Sequence, residues 1–321
     1  MSEQMAYGRS GTVIEMREGA GACVLCPRQC RTDRVHSRGY CGESEKVRVA
    51  RASLHMWEEP CISGRTGSGT VFFSGCPLKC VFCQNRRIAL GGSGRELSAS
   101  QLSRLFLVLQ GQGAENINLV TPTHFVPQIA VALGMSRSAG LSVPVVYNTS
   151  AYEQVETVRM LEGLVDIYIP DLKYHSSELS ARYSNAPDYF ERASLAIAEM
   201  ARQVGAPVFE GQSFGEKMLR RGVIVRHMVM PGHVRDSMEV IKYLYDTYRD
   251  GIYMSIMNQY TPPAGLDGYP EISRRVTRRE YSKVVDYAIG LGVENAFVQE
   301  GNTAEESFIP DFEDEQFLKE V

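Results

Sequence analysis

All eight cysteines of this 321-residue chain lie within its first 83 positions: Cys23, Cys26, Cys30, Cys41, Cys61, Cys76, Cys80 and Cys83. Short repeated spacings suit thiolate ligands better than disulfides or scattered buried thiols. Cys76, Cys80 and Cys83 form a Cys-x3-Cys-x2-Cys loop, a pattern that can converge on three irons of a 4Fe-4S cube. Full ligation of a cube takes four thiolates, so three leave one iron with an open position, much as catalytic zinc sites keep one. On a redox cluster, that position is where a molecule can be bound and reduced. A structural zinc loop would want a fourth Cys or His close by, and none follows before His124.

A second constellation is Cys23-x2-Cys26-x3-Cys30-x10-Cys41. Four thiolates saturate a tetrahedral zinc, a single iron or a second cube, so this site reads as closed, either structural or electron-relaying. Its loop ending Gly39-Tyr40-Cys41-Gly42 resembles a zinc ribbon more than a ferredoxin run. Cys61 is the odd one out, either a substitute ligand or a buried thiol.

The elements that must position these groups follow from periodicity. Residues 1–65 are Gly- and Arg-rich with little sustained pattern, and read as a small Cys-rich module that needs a metal to hold it together. From there short apolar runs alternate with helical patterns. The runs are 70–74, 117–120, 143–148, 165–170, 223–229 and 252–257; the helical stretches are 100–110, 126–138, 152–162, 189–204, 236–248 and 278–291. Such alternation implies βαβ crossovers and a parallel sheet. Six units are too few for a closed eight-unit barrel and fit a doubly wound sheet or an open, partial barrel. No Gly-x-Gly-x-x-Gly follows the first strand, which argues against a dinucleotide fold. The acidic end after Phe308 is expected to pack loosely.

The loop Ser74-Gly75-Cys76-Pro77-Leu78-Lys79-Cys80-Val81-Phe82-Cys83 resembles the signature of the radical S-adenosylmethionine enzymes, with Phe82 in the aromatic place before the third cysteine. Val165-Asp166-Ile167-Tyr168-Ile169-Pro170-Asp171-Leu172-Lys173, Tyr147-Asn148-Thr149-Ser150 and Arg226-His227-Met228-Val229-Met230-Pro231-Gly232 resemble strands of the pyruvate formate-lyase activating enzyme branch. An uncharacterised subgroup of activating-enzyme homologues is similar in three more pieces: residues 23–30, Glu58-Glu59-Pro60-Cys61-Ile62-Ser63-Gly64, and Met257-Asn258-Gln259-Tyr260-Thr261-Pro262.

The resemblance implies a partial (β/α)6 barrel, of class α/β, over residues 66–321. It implies that the open iron chelates S-adenosylmethionine, and that one electron splits its sulfonium C–S bond to leave a hydrogen-abstracting 5′-deoxyadenosyl radical. A flavodoxin- or ferredoxin-type protein would supply the electron. Where the family has Gly-Gly-Glu after its second strand, this chain has Thr121-Pro122-Thr123, whose hydroxyls or carbonyls can accept from an ammonium. Asn148 and Thr149 suit the ribose or the methionine carboxylate. By resemblance this strand end and Asp171 also hold a monovalent cation. Lys173 can meet the carboxylate as a point charge, and Tyr260 falls where relatives place a histidine beside the ribose. Bland readings compete: a turn at Thr121–Thr123, a solvated pair at Asp171 and Lys173, and structural roles for His124, His227 and His233. Arg274, Arg275, Arg278 and Arg279 read as a solvated helix start.

Composition bounds the rest. With 34 basic and 38 acidic residues, no global field recruits nucleic acid or anionic lipid. No apolar run approaches a membrane span, and the N-terminus lacks a signal-peptide core, so the chain reads as cytoplasmic. The leading expectation is a radical-generating enzyme whose target is the glycine of a glycyl-radical enzyme. Another protein, a peptide or a small metabolite is the alternative target, and an iron-sulfur redox sensor the alternative class.

Overall fold

A computed structural model describes residues 5–7, 13–15, 22–211 and 217–299. The acidic stretch after Phe308 lies outside the described residues. After a hairpin of β1 (Met5–Tyr7) and β2 (Val13–Glu15), cysteine-bearing loops lead into β3 (Val47–His55). A single turn, α1 (Pro60–Ser63), precedes β4 (Ser68–Phe73), and another, α2 (Arg86–Ala89), precedes β5 (Arg95–Leu97). Then α3 (Ala99–Gly111), β6 (Ile117–Val120), α4 (Val126–Ser138), β7 (Val145–Thr149), α5 (Val155–Arg159) and β8 (Ile167–Pro170) alternate. α6 (Ser177–Ser184), α7 (Tyr189–Val204), β9 (Val208–Glu210) and β10 (Met218–Met228) follow, and α8 (Val234–Tyr248), β11 (Tyr253–Met257), α9 (Arg278–Leu291) and β12 (Ala296–Val298) complete the order.

β4, β6, β7, β8, β10, β11 and β12 lie side by side in chain order, each parallel to its neighbour. A doubly wound sheet reverses its strand order at a switch point. This one never does, so the architecture is the open α/β barrel. β12 adds a seventh parallel strand to the six expected. Its three residues form a partly exposed edge, too short to show alternation. β3 runs antiparallel to β4 and carries β5 on its far side. Residues 47–64, read from sequence as part of the module, are thus a sheet strand and the turn that follows it. The cysteine-bearing loops proper span 22–46.

α3 and α9 form where spacing and caps agree. α9 opens with a capping box, Thr277 and Glu280 each satisfying the other's backbone N–H. α3 does the same with Ser98 and Gln101. α7 buries Ala193, Ala196, Ile197, Met200 and Val204, the stripe that a helix against a sheet needs.

Strand alternation splits the core into two layers. Outward residues such as Ile117, Leu119, Val145 and Tyr147 pack on the helices in the main core. Inward residues Val146, Ile167, Ile169 and Ile224 form a separate cluster with Cys61, Ile62 and Leu219. α1 therefore plugs the barrel. Asn116, just before β6, donates to the Ile62 carbonyl at 2.7 Å, which fixes the plug at the amino ends of the strands. Burying Ile62 completely is worth about 2 kcal/mol. Cys61 is a plug residue, its thiol pushed up to about 12 by burial and the nearby Glu59.

Candidate active site

At the opposite end of the strands, β4 runs out at Ser74 into the cysteine loop. Gly75 holds φ at +85°, and a Cβ there would fall 2.7 Å from Glu43 Cγ and 2.8 Å from the Cys41 carbonyl. Only glycine lets the N-terminal loops lie this close. The Cys76 N–H donates to the Cys41 carbonyl at 3.2 Å, the Leu78 N–H to Cys76 Sγ at 3.4 Å, and Ser184 Oγ to Cys80 Sγ at 3.0 Å.

Cys76, Cys80 and Cys83 open together on a cavity of 280 Å³, whose wall also holds Phe82, Thr121, Asn148, Thr149, Asp171, Lys173 and Tyr260. Ten of the eleven site residues named from sequence around the cysteine loop and the strand ends therefore converge. Thr123 does not. It is buried, and its hydroxyl donates to Glu153 Oε1 at 2.7 Å. Thr149 also gives its proton to Glu153, at 2.5 Å, and Tyr260 gives its own to the Ile272 carbonyl at 2.6 Å. Tyr260 thus offers the cavity its ring, tilted against Phe82 with the ring centres 6.0 Å apart. Thr121 sits at φ +56°, an outlier for a β-branched residue.

The cavity floor is a network of charges. Arg226 donates to Asp171 Oδ1 at 2.9 Å, to Asn148 Oδ1 at 2.6 Å and to Glu58 Oε2 at 3.3 Å. Lys173 Nζ donates to Asp171 Oδ2 at 2.6 Å. Glu58 Oε1 accepts from Asn118 at 3.0 Å and Asn148 at 3.3 Å. Burial opposes the Asp171 charge, but Arg226 and Lys173 outweigh it and hold the carboxyl below its ordinary value. Burial likewise opposes the Lys173 charge, and Asp171 and Cys80 outweigh it to hold the ammonium above its usual value. The solvated-pair reading of these two residues fails, since both are largely buried. Both Asp171 oxygens are engaged, Oδ1 by Arg226 and Oδ2 by Lys173.

Glu58, Arg226 and Glu153 were not among the site residues expected. A single arginine inside the apolar run of β10 was the available signal for Arg226, since a buried charge requires partners. Glu58 and Glu153 sit in connecting loops, where acids carry no such signal. His124 is structural: buried, it donates from Nε2 to the Ser74 carbonyl at 2.6 Å, and burial and Arg34 push it down to about 3. His227 donates to the Leu172 carbonyl at 2.7 Å, and His233 pairs with the Tyr183 hydroxyl at 2.9 Å. Arg274 binds Glu280 at the start of α9.

The residues around the cysteine loop fit a cluster and a polar cofactor. Burial first, then neighbouring thiols, push Cys83 up to about 12, and burial raises Cys76 and Cys80 as well. Such thiols ionise when a metal displaces their protons. Ser150 Oγ, on the cavity wall, is buried with no hydrogen-bond partner, so a polar ligand has a group to satisfy. The N-terminal thiols sit near one another. A Cβ on Gly39 would lie 3.3 Å from Cys30 Sγ and 3.6 Å from Cys41 Sγ, and Cys26 and Cys41 both feel Cys23. Among the described residues no three Cys, His, Asp or Glu are spaced to hold one metal ion. A cube spreads its thiolates over separate irons.

The sequence profile of the Radical SAM superfamily matches residues 70–244. An uncharacterised protein of Methanocaldococcus jannaschii is 28% identical over 278 residues, covering 83% of this chain and 74% of its own length. Among solved structures, SuiB of Streptococcus suis bound to S-adenosylmethionine superposes with a TM-score of 0.46 at 16% identity, over 70% of this chain and 48% of SuiB. This chain thus spans about half the length of SuiB. A radical SAM methyltransferase from Sphaerobacter thermophilus gives 0.47 at 15% identity, over 72% of this chain and 66% of its own. No helix among the described residues is long and apolar enough to cross a membrane.

Proposed function

This chain belongs to the Radical SAM superfamily, and from that premise we propose that it activates a glycyl-radical enzyme by abstracting hydrogen from a glycine. When bound, a 4Fe-4S cluster and S-adenosylmethionine supply reductive cleavage of the sulfonium C–S bond and a 5′-deoxyadenosyl radical. Cys76, Cys80 and Cys83 hold the cluster in this reading. Lys173 presents its remaining ammonium protons to the methionine carboxylate, with Asp171 fixing its position. Thr121 and Ser150 offer polar contacts at adjoining strand ends, and Phe82 and Tyr260 exclude water with their rings. Asn148 and Thr149 act mainly by being locked, the first between Arg226 and Glu58, the second on Glu153.

One observation carries the reading: three thiols and the polar strand ends open on a single cavity. The glycyl-radical target rests on the likeness of residues 165–173 and 226–232 to the activating-enzyme branch, an associational warrant. The electron would come from a flavodoxin- or ferredoxin-type donor. A different protein, peptide or metabolite target is favoured by the module laid against the cysteine loop, through Cys41 and Cys76. Anaerobically reconstituted protein should bind about four irons, and changing Cys76, Cys80 and Cys83 together to Ala should abolish that cluster's electron paramagnetic signal. A reducible cube persisting in the triple variant refutes the assignment.

A further inference from the structure

The last residue of α6 touches the cysteine loop in a way the proposed activity does not use. Ser184 is 2% exposed, and its hydroxyl donates to Cys80 Sγ at 3.0 Å. The same oxygen lies 2.8 Å from the hydroxyl of Tyr174, itself fully buried. A serine hydroxyl carries one proton. With that proton directed at sulfur, Tyr174 must donate to Ser184, so the chain Tyr174–Ser184–Cys80 has a single polarity. Each bond in such a chain strengthens the next.

The position of this chain is set from the N-terminal loops. Arg28 Nη2 donates to the Ser184 carbonyl at 2.9 Å and Nε to the Pro77 carbonyl at 2.8 Å, while Nη1 holds the Asn185 carbonyl. One guanidinium therefore ties the cysteine loop to the end of α6. Its far face is stacked on Tyr40, 4.3 Å from the ring centre, which keeps it oriented. Val81 adds a backbone bond to the Tyr183 carbonyl at 2.9 Å, so loop and helix end move together.

We infer that Ser184, polarised by Tyr174, sets the reduction potential of the cluster held by Cys76, Cys80 and Cys83, and that Arg28 is the residue that positions it. This rests on the cluster assignment proposed above, with the Cys80 thiol standing in for an iron-bound thiolate. Reduction adds one negative charge to the cluster, and hydrogen bonds to its sulfurs are a recognised control on potential. A donor to sulfur stabilises the more negative, reduced state. Removing the donor lowers the potential and makes the one-electron reduction harder.

The test is an anaerobic redox titration of the full chain, followed by electron paramagnetic resonance and iron content. Ser184→Ala should shift the reduced-to-oxidised ratio about tenfold toward the oxidised cluster at fixed potential, which for a one-electron couple is about 59 mV. Tyr174→Phe, which keeps the ring, should shift it the same way by less, as should Arg28→Ala. An unchanged midpoint in Ser184→Ala at wild-type iron content overturns the inference. Should Ser184→Ala lose its iron, Tyr174→Phe decides: a lowered midpoint supports the chain of donors, and a wild-type midpoint overturns it. A wild type that assembles no four-iron cluster refutes the cluster assignment instead, a separate and distinguishable failure.

Discussion

Glu58 Oε2 and Arg226 Nη1 meet at 3.3 Å inside the barrel, joining a loop upstream of the profile match to the fifth parallel strand. Glu58 is anchored by the α1 plug. Its own N–H donates to Ser63 Oγ at 3.0 Å, so the turn that closes the barrel also delivers a carboxylate to the cavity floor. Truncating one member of a buried pair strands the other's charge. Glu58→Ala should cost about 3 kcal/mol. Arg226→Ala should cost more, because it removes the ion pairs to both Glu58 and Asp171, leaving Asp171 with Lys173 alone. Urea unfolding of the two variants checks the order, and a milder Arg226→Ala would show that the carboxylates find other partners.

α4, α7 and α9 were legible to the residue: α7 buries one apolar stripe, α9 opens on the Thr277–Glu280 capping box, and α4 is an apolar run opened by Pro127 in its first turn. The three cysteines and the Asn148, Asp171 and Lys173 strand ends were legible because polar groups closing apolar runs stand out. β3 was not, although VRVARASLH alternates: a neighbourhood rich in Gly, Arg and Cys masked a strand whose partners lie on either side in space. The lumen network was hidden for a different reason. Which side of a strand faces the lumen depends on closure of the barrel, and the acid that meets Arg226 arrives from a turn 168 residues away.

Glu153 makes stability depend on pH. It is 1% exposed and accepts hydroxyl protons from Thr123, Thr149 and Tyr147 on one oxygen, while Oε2 is buried with no hydrogen-bond partner. Burial raises it from 4.5 to about 7, against those hydrogen bonds. The folded state therefore holds this proton more tightly than the unfolded chain. Its contribution is complete below pH 4.5, falls as pH rises toward 7, and is gone above that. The shift corresponds to about 3 kcal/mol. Glu153→Gln should remove this fall, so wild type should lose more stability than the variant between pH 5 and pH 8. Parallel curves for the two in denaturant titrations would contradict the raised value.

The N-terminal thiols make a prediction about metal. Gly39 brings Cys30 and Cys41 sulfurs within contact distance of one backbone position, and Cys23 and Cys26 interact with the same group. Protein lacking Cys76, Cys80 and Cys83 should still carry one bound metal site, and stripping it should loosen the loops of residues 22–46. Elemental analysis and proteolysis of that variant provide the check. A metal-free, protease-resistant variant would make these cysteines ordinary buried thiols.

Thr121 should trade stability for binding. Its φ of +56° costs a β-branched residue roughly 1–2 kcal/mol relative to glycine, partly offset by the lower entropy of the unfolded threonine chain. Thr121→Gly should therefore raise the unfolding midpoint while weakening S-adenosylmethionine binding, since Thr121 lines the cavity. Calorimetry on the reconstituted protein reads both. A stabilised variant with unchanged affinity would mean that the strained threonine contacts nothing.

Lys173 separates an enzyme from a redox sensor. Its ammonium is held at the cavity by Asp171 at 2.6 Å, and neither residue bears sulfur, so Lys173→Ala should leave iron content unchanged. Asp171 keeps Arg226 as partner at 2.9 Å in that variant, so the floor of the cavity survives. Losing a charged hydrogen bond costs about 1.5–3 kcal/mol, or about ten- to over a hundredfold in S-adenosylmethionine affinity. Lys173→Arg should recover part of it, because charge returns without the compact geometry of an ammonium. Reduced wild type should also release 5′-deoxyadenosine and methionine slowly without any protein target, and Lys173→Ala should do so only at raised cofactor concentration. A sensor has no need of this cofactor. Full iron loading with no cleavage under strong reductant, and no change in binding on removing Lys173, would overturn the enzyme reading in favour of the sensor.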